Sequence, residues 1–285
     1  MNLTSPTQVK GWCIARGFHP NRTLGQNFLI DRHALETIVD ASGAAPERHL
    51  LEVGPGLGVL TEALLDRGAR VTAVEKDARL CAWLRESLGG RGGLALVEGD
   101  MLACDLDALL AARFDAFVSN LPYSAGTRIL LDTALHPAAP PRLTVLVQNE
   151  VADRFAAPPG GAQRGLAGVW LQRLYEVERL RTVKATCFWP KPEVGSTVVR
   201  LARHDRFPLA GDAERRFREW TKLAFSHRRK QLASIFRHAW RACDAAAVAA
   251  WLEACGIDAS ARPEELSLPQ WCALARHEPP PGAAG

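Results

Sequence analysis

The chain of 285 residues is 47% hydrophobic and 23% charged, ordinary globular composition with enough apolar material for a sizeable core. No run of 18 uncharged apolar residues exists and the first twenty residues lack the apolar centre of a signal peptide, so neither a membrane span nor secretion is expected. The seven cysteines (Cys13, Cys81, Cys104, Cys187, Cys243, Cys255, Cys272) form no C-x-x-C pair and read as reduced, buried hydrophobes of a cytoplasmic protein.

In chain order, Asp31 is the predicted N-cap of a first helix that carries Leu35, Ile38 and Val39 on one face and stops near Gly43. Strand-like and helix-like segments then alternate: strand 49–56, helix 59–68, strand 70–75, helix 78–88, then strands 94–100, 114–123 and 142–148. The spacing suits βαβ crossovers, and the expected fold is an α/β sheet with helices on both faces. Beyond Glu150 the pattern loosens into a Pro/Gly loop (157–165) of the functional or mobile kind, an irregular extended segment (188–194) and an alternating stretch (197–203) that closes the sheet. After Pro208 only helices are predicted, at 211–226, 228–240, 244–255 and 267–277, with Trp220, Trp240, Trp251 and Trp271 as their core. The expected organisation is a sheet domain with an N-terminal arm (1–206), a helical domain (207–277) and a disordered tail (278–285).

Net charge is only +4, but its distribution is uneven. Between Arg200 and Arg241 stand twelve basic and four acidic residues, a local charge of +8 that leaves −4 for the rest. A solvated helix face and a docking surface for a polyanion both fit that asymmetry.

The chemistry-bearing residues fall at strand ends. Glu52-Val-Gly54-Pro-Gly56-Leu-Gly58 follows one strand and opens a helix, where glycines admit a ligand to the backbone. Val59 occupies the position of the third glycine of a dinucleotide fingerprint, which disfavours an oxidoreductase. The E-x-G-x-G-x-G pattern resembles instead the first motif of S-adenosylmethionine-dependent methyltransferases. Glu75 ends the next strand, placed to accept ribose hydroxyls, and Asp100 ends the one after, placed to accept from an adenine amine. Asn120-Leu121-Pro122-Tyr123 ends the fourth strand. One reading is a plain Asn-x-Pro turn. The other is a site in which the Asn120 oxygen and a backbone carbonyl of the Leu-Pro segment accept both N–H groups of an aromatic amine, with Tyr123 stacked on its ring. No histidine spacing suggests a metal site.

Gly25-Gln26-Asn27-Phe28-Leu29, the glycine loop, Glu75, Gly99-Asp100, Asn-Leu-Pro-Tyr, residues 148–154, the F-x-P-x-P-x-V segment (188–194) and Arg228-Arg229-Lys230, in this order over about residues 22–240, resemble the small-subunit ribosomal RNA adenine dimethyltransferase family. The resemblance implies a Rossmann-like S-adenosylmethionine-dependent methyltransferase domain with a smaller all-helical C-terminal domain. It implies dimethylation of adenine N6 at two adjacent adenosines near the 3′ end of that RNA, and a role in ribosome biogenesis. Asn27, Leu29, Gly54, Gly56, Glu75, Asp100, Met101 and Asn120 are the implied cofactor-binding residues. Asn120, Leu121, Pro122, Tyr123 and Phe188 are the implied target-base residues, Phe188 being either packing or a second stacking wall. Arg228, Arg229 and Lys230 are the implied RNA contacts. The expected partner is small-subunit ribosomal RNA or the 30S subunit, and the expected state a monomer. The sequence departs from the family's usual residues at Asn149 (lysine), Arg164 (tyrosine), Gly195 (aspartate) and Ser124-Ala125-Gly126 (Asn-Ile-Ser), all expected to border the substrate cleft. Two rivals remain: the large-subunit enzyme of macrolide resistance and a non-catalytic ribosome-assembly protein on the same fold.

Overall fold

The computed structural model describes residues 1–21 and 24–283. It opens with a helix absent from the prediction, α1 (Pro6–Ala15), which the Ser5 side chain caps and which buries only Val9 and Cys13. So sparse an apolar stripe carries no periodic signal. The short strand β1 (Phe28–Leu29) follows, and then α2 (Arg32–Ser42), capped by Asp31 on the Ala34 amide and closed by Gly43 in the left-handed conformation.

The alternating part comes next: β2 (His49–Val53), α3 (Val59–Asp66), β3 (Arg70–Glu75), α4 (Ala78–Leu88), β4 (Leu94–Glu98), α5 (Leu106–Leu110), β5 (Ala116–Asn120), α6 (Gly126–Ala134) and β6 (Arg142–Gln148). Two helices, α7 (Asn149–Ala156) and α8 (Leu166–Leu174), precede β7 (Tyr175–Val183), and β8 (Phe188–Trp189) and β9 (Ser196–Arg203) complete the strands. The segment expected to be irregular therefore contains a strand, and β8 pairs antiparallel with β1, Leu29 opposite Phe188. The sheet runs β4-β3-β2-β5-β6-β9-β7. Strands β4 through β6 are parallel and β9 is antiparallel to β6. Leu50, Val71, Ala73, Ala116 and Val118 share an apolar cluster with α2 and α3, while the alternate residues Leu51, Val74 and Phe117 are equally buried, so both faces of the sheet are covered. Because chain order reverses between β2 and β5, the carboxyl ends of the parallel strands open a crevice there.

Two compact units emerge: Met1–Ala152 with Glu176–Arg203, and Asp153–Tyr175 with His204–Gly285. The second takes in residues 153–175, which the sequence assigns to the sheet domain. Long-range bonds decide it: the Trp170 indole N–H donates to Thr221 and the Arg173 guanidinium pairs with Glu214 at 2.7 Å. This unit also holds α9 (Gly211–Ser226), α10 (Leu232–Ala239), α11 (Ala245–Ala254) and α12 (Leu268–Arg276). The tail expected to be disordered is held through residue 283, Glu278 pairing with Arg216 and the Pro281 carbonyl accepting from the Cys243 thiol; residues 284 and 285 lie outside the described residues. Among the described residues no helix is long and apolar enough to cross a membrane.

The four tryptophans are core, as the sequence predicts, and Trp251 is the hub: Trp220, Phe236 and Trp240 each hold a ring 5.2 Å from its own. Its indole N–H has no hydrogen-bond partner among the described residues. Trp251→Ala is expected to lower the unfolding free energy by about 3–5 kcal/mol. Trp251→Phe, which keeps most of the ring packing and removes an unsatisfied donor, costs far less. Chemical denaturation of the two variants reads the difference.

Candidate active site

Five segments meet in one cleft at the carboxyl edge of the sheet: the 24–29 arm, the glycine loop after β2, the end of β3, the turn after β4 and the end of β5. It is open to solvent, with an empty volume of about 1240 Å³ including the mouth. Asn27, Leu29, Gly54, Gly56, Glu75, Asp100, Met101 and Asn120 all line it, as does Pro122.

The glycine loop is held open by backbone that side chains rarely adopt. Gly54 sits at φ +68°, and a Cβ there would project into empty space. The loop therefore leaves a cradle without a side chain in it, over which a ligand's polar end can meet backbone amides. Glu75 fixes its position: the carboxylate is 6% exposed and accepts the Gly56 amide at 3.0 Å and the Asp77 amide at 2.9 Å. Burial raises this carboxyl above the usual range, while the amide bonds from Asp77 and Gly56 restrain the rise. Asp77 in turn accepts from the Gln26 side chain at 3.0 Å, which ties the N-terminal arm to the end of β3.

Asp100 is already engaged. One oxygen accepts the Leu102 amide at 3.0 Å and the other meets the Lys76 ammonium at 2.7 Å, and the Lys76 bond foremost holds this carboxyl below the usual range. Lys76 lines the cleft without being predicted, because a lysine following a strand-end acid carries no motif. The sequence marks Glu52 only as the first letter of the loop. It is buried in the cleft floor, burial foremost and then repulsion from Glu75 push its carboxyl up to about 8, and its Oε2 has no partner among the described residues.

Asn120 carries a directional signal. Its Nδ2 donates to the Asn27 backbone carbonyl at 2.9 Å, which turns the side-chain oxygen away from that bond and leaves it an acceptor with no donor among the described residues. Gly25, at φ +68°, lets the arm approach this closely, since a Cβ there would stand 3.2 Å from the Tyr123 amide. In the turn beyond, the Pro122 carbonyl accepts the Gly126 amide at 2.7 Å and the Ala125 amide at 3.2 Å. Leu121 is buried. Tyr123 is half-buried between the cleft-lining residues Pro122 and Ser124 without lining the cleft itself, its hydroxyl bonded to the buried Ser196 hydroxyl at 2.7 Å. The ring is thereby fixed at its far end.

Phe188 stands elsewhere. It is 2% exposed and packed with Leu29 in the core under β1, and it does not line the cleft. The departures at Asn149 and Gly195 form one arrangement: a Cβ on residue 195 would lie 3.0 Å from the Asn149 Nδ2, and the Asn149 oxygen accepts from Thr197 at 2.8 Å. Arg164 is not on a cleft. It is fully buried in the second unit, donating to Ala157 and Gln172, and burial pulls its guanidinium down to about 10. That side chain knits the 157–165 loop. Arg228 donates to the Ala162 carbonyl at 2.6 Å and faces Glu264, whereas Arg229 and Lys230 are exposed.

The family model described as ribosomal RNA adenine dimethylase matches residues 17–276. A protein of Acidobacterium capsulatum named ribosomal RNA small subunit methyltransferase A is 41% identical over 254 residues, 89% of each chain. Its namesake in Geobacter metallireducens is 38% identical over 91% of this chain and 96% of its own. Among solved structures, a dimethyladenosine transferase from Plasmodium falciparum superposes with a TM-score of 0.74 at 21% identity over 86% of this chain and 95% of that one. The 23S ribosomal RNA methyltransferase ErmE does so with a TM-score of 0.67 at 29% identity, over 87% and 98%.

Two measurements check the site's electrostatics and support. Between about pH 4.5 and 8 the folded chain keeps a proton on Glu52 that the unfolded chain has lost, so stability falls as pH rises through that window, by up to about 1.4 kcal/mol per unit. Glu52→Gln abolishes this contribution, and its thermal midpoint is expected to gain on the parent's as pH rises from 5 to 8. Ser196→Ala removes the bond that holds the Tyr123 phenol down against burial, and the phenol is expected to ionise at higher pH. With Tyr175 fully buried as the other tyrosine, absorbance titration resolves it; an unmoved transition contradicts the assigned support.

Proposed function

The chain belongs to the ribosomal RNA adenine dimethylase family, and on that premise we propose that its cleft binds S-adenosylmethionine and dimethylates adenine N6 at two adjacent adenosines near the 3′ end of small-subunit ribosomal RNA. The single observation that carries the chemistry is the bond from Asn120 Nδ2 to the Asn27 carbonyl, because it leaves an oxygen acceptor at the strand end where an amine must be held.

The residues present fit the cofactor. Glu75, buried and already fixed by two amides, keeps lone pairs for two ribose hydroxyls. Asp100, beside Met101, would accept from the adenine amine, Leu29 and Asn27 would border the amino-acid end, and the empty cradle at Gly54, beside Gly56, would take its carboxylate. When bound, the cofactor supplies an electrophilic methyl group on a sulfonium.

The protein's part is to make a poor nucleophile adequate. The exocyclic nitrogen of adenine delocalises its lone pair into the ring. Accepting one N–H at the Asn120 oxygen and the other at a backbone carbonyl favours a pyramidal nitrogen with its lone pair directed outward. The Pro122 carbonyl is taken by Ala125 and Gly126, so the Leu121 carbonyl is the backbone acceptor. No strong base is needed: forming the N–C bond acidifies the N–H, and its proton passes to water. Rate then comes from proximity and orientation. Tyr123, locked by Ser196, is the platform on which the base stacks. Phe188 supports β1 from behind rather than meeting the base.

The relatives at 38–41% identity carry the small-subunit name, which favours that substrate over the large-subunit RNA of ErmE. Labelled S-adenosylmethionine incubated with small subunits lacking the modification, followed by mapping of the methylated nucleotide, tests the reading. Asn120→Ala is expected to cut the methylation rate by about 100-fold or more, far more than it weakens cofactor affinity by calorimetry; a loss of rate no larger than the loss of affinity would contradict the role.

A further inference from the structure

Assigning ion pairs divides the basic stretch 200–241 into two kinds of cation. Arg200 pairs with Glu178, Arg215 with Asp212 and Glu219, Arg216 with Glu278, Arg218 with Glu214 and Arg228 with Glu264. These are neutralised within the fold. Lys222, Arg229, Lys230, Arg237 and Arg241 make no ion pair among the described residues.

Three of those five, Lys230, Arg237 and Arg241, line one polar-walled pocket with Ser234 and His238. Ser234, Arg237 and His238 lie on one face of α10, and Lys230 just before the helix and Arg241 just after it extend the stripe. On the opposite side Leu232, Ile235 and Phe236 are buried in the tryptophan core, which fixes the stripe outward. The five stripe residues are exposed. Asp244 is the one carboxylate in the lining, and its oxygen is occupied by the Ala247 amide at 2.6 Å as the cap of α11. Three guanidinium and ammonium groups against that one capping carboxylate leave the wall with a net charge of +2 (three minus one), the chemistry of an anion of more than one charge. The wall carries no aromatic or leucine to enter a lipid surface.

We propose that this pocket seats backbone phosphates of structured RNA, an interaction that positions the substrate without reading its sequence. The proposal rests on the ribosomal RNA reading above and moves the centre of docking along α10, away from Arg228, whose guanidinium is spent on Ala162 and Glu264.

The test uses the full chain as wild type, as Arg237→Ala/Arg241→Ala, as Arg237→Lys/Arg241→Lys and as Arg215→Ala, with binding to unmodified small subunits measured over a salt series. Each backbone phosphate left without its cation is expected to reduce the slope of log affinity against log salt by about 0.7–0.9, so the double alanine variant should drop by about 1.5 in slope and about tenfold in affinity at low salt. The double lysine variant should recover most of that slope, Arg215→Ala should match wild type, and cofactor affinity should be the same in all four. An unchanged slope in the double alanine variant, or an equal reduction in Arg215→Ala, overturns the pocket. So does a reduction seen equally with anionic phospholipid vesicles, which would point to a membrane partner. A wild-type chain that methylates no small-subunit RNA overturns the underlying reading instead, whatever the variants do.

Discussion

The Glu75 carboxylate is the constraint on which the site depends. By accepting the amides of Gly56 and Asp77 it joins the loop after β2 to the turn after β3, and through Asp77 it reaches Gln26 on the N-terminal arm. Three segments distant in sequence are thus held around one buried acid. Such an acid is costly to bury, and the fold tolerates it because each oxygen meets a backbone donor. A rigid frame of this kind suits a reaction whose rate comes from placement rather than from proton transfer.

Much of this frame is legible in the sequence, and the physical reason is local. Strands β3 and β6 and helix α4 have the predicted bounds because each is a clean period flanked by caps or turns, and most of the residues proposed to hold the cofactor sit at strand ends, where position follows from topology. Every one of them lines the cleft. What escapes a reading of the sequence depends on partners far along the chain. Helix α1 has too few apolar residues to announce itself, β8 is two residues long and exists because β1 is there to pair with it, and Phe188 is a candidate for stacking only until its neighbours are known. Residues 153–175 join the helical unit through Trp170 and Arg173, whose partners lie outside any local window of sequence. Ser196 and Lys76 belong to no motif and become visible only through the groups they touch.

Charge follows the same lesson at larger scale. The +8 of residues 200–241 overstates what is available to a partner, since Glu264 and Glu278, which lie outside that stretch, pair with its Arg228 and Arg216. Exposed pairs of this sort contribute little to stability. Their effect is to remove surface charge selectively, so that a diffuse composition becomes a discrete patch.

The orientation of Asn120 carries one more consequence. Adenine presents a donor at position 6 and guanine an acceptor. With its amide nitrogen tethered to the main-chain carbonyl of Asn27, 93 residues earlier, the side chain offers only an oxygen lone pair, which welcomes the amine and repels the oxo group. In the role proposed for Asn120, discrimination between the two purines would rest on a peptide carbonyl that never meets the nucleobase, and no side-chain substitution at position 27 would erase it without first displacing the arm.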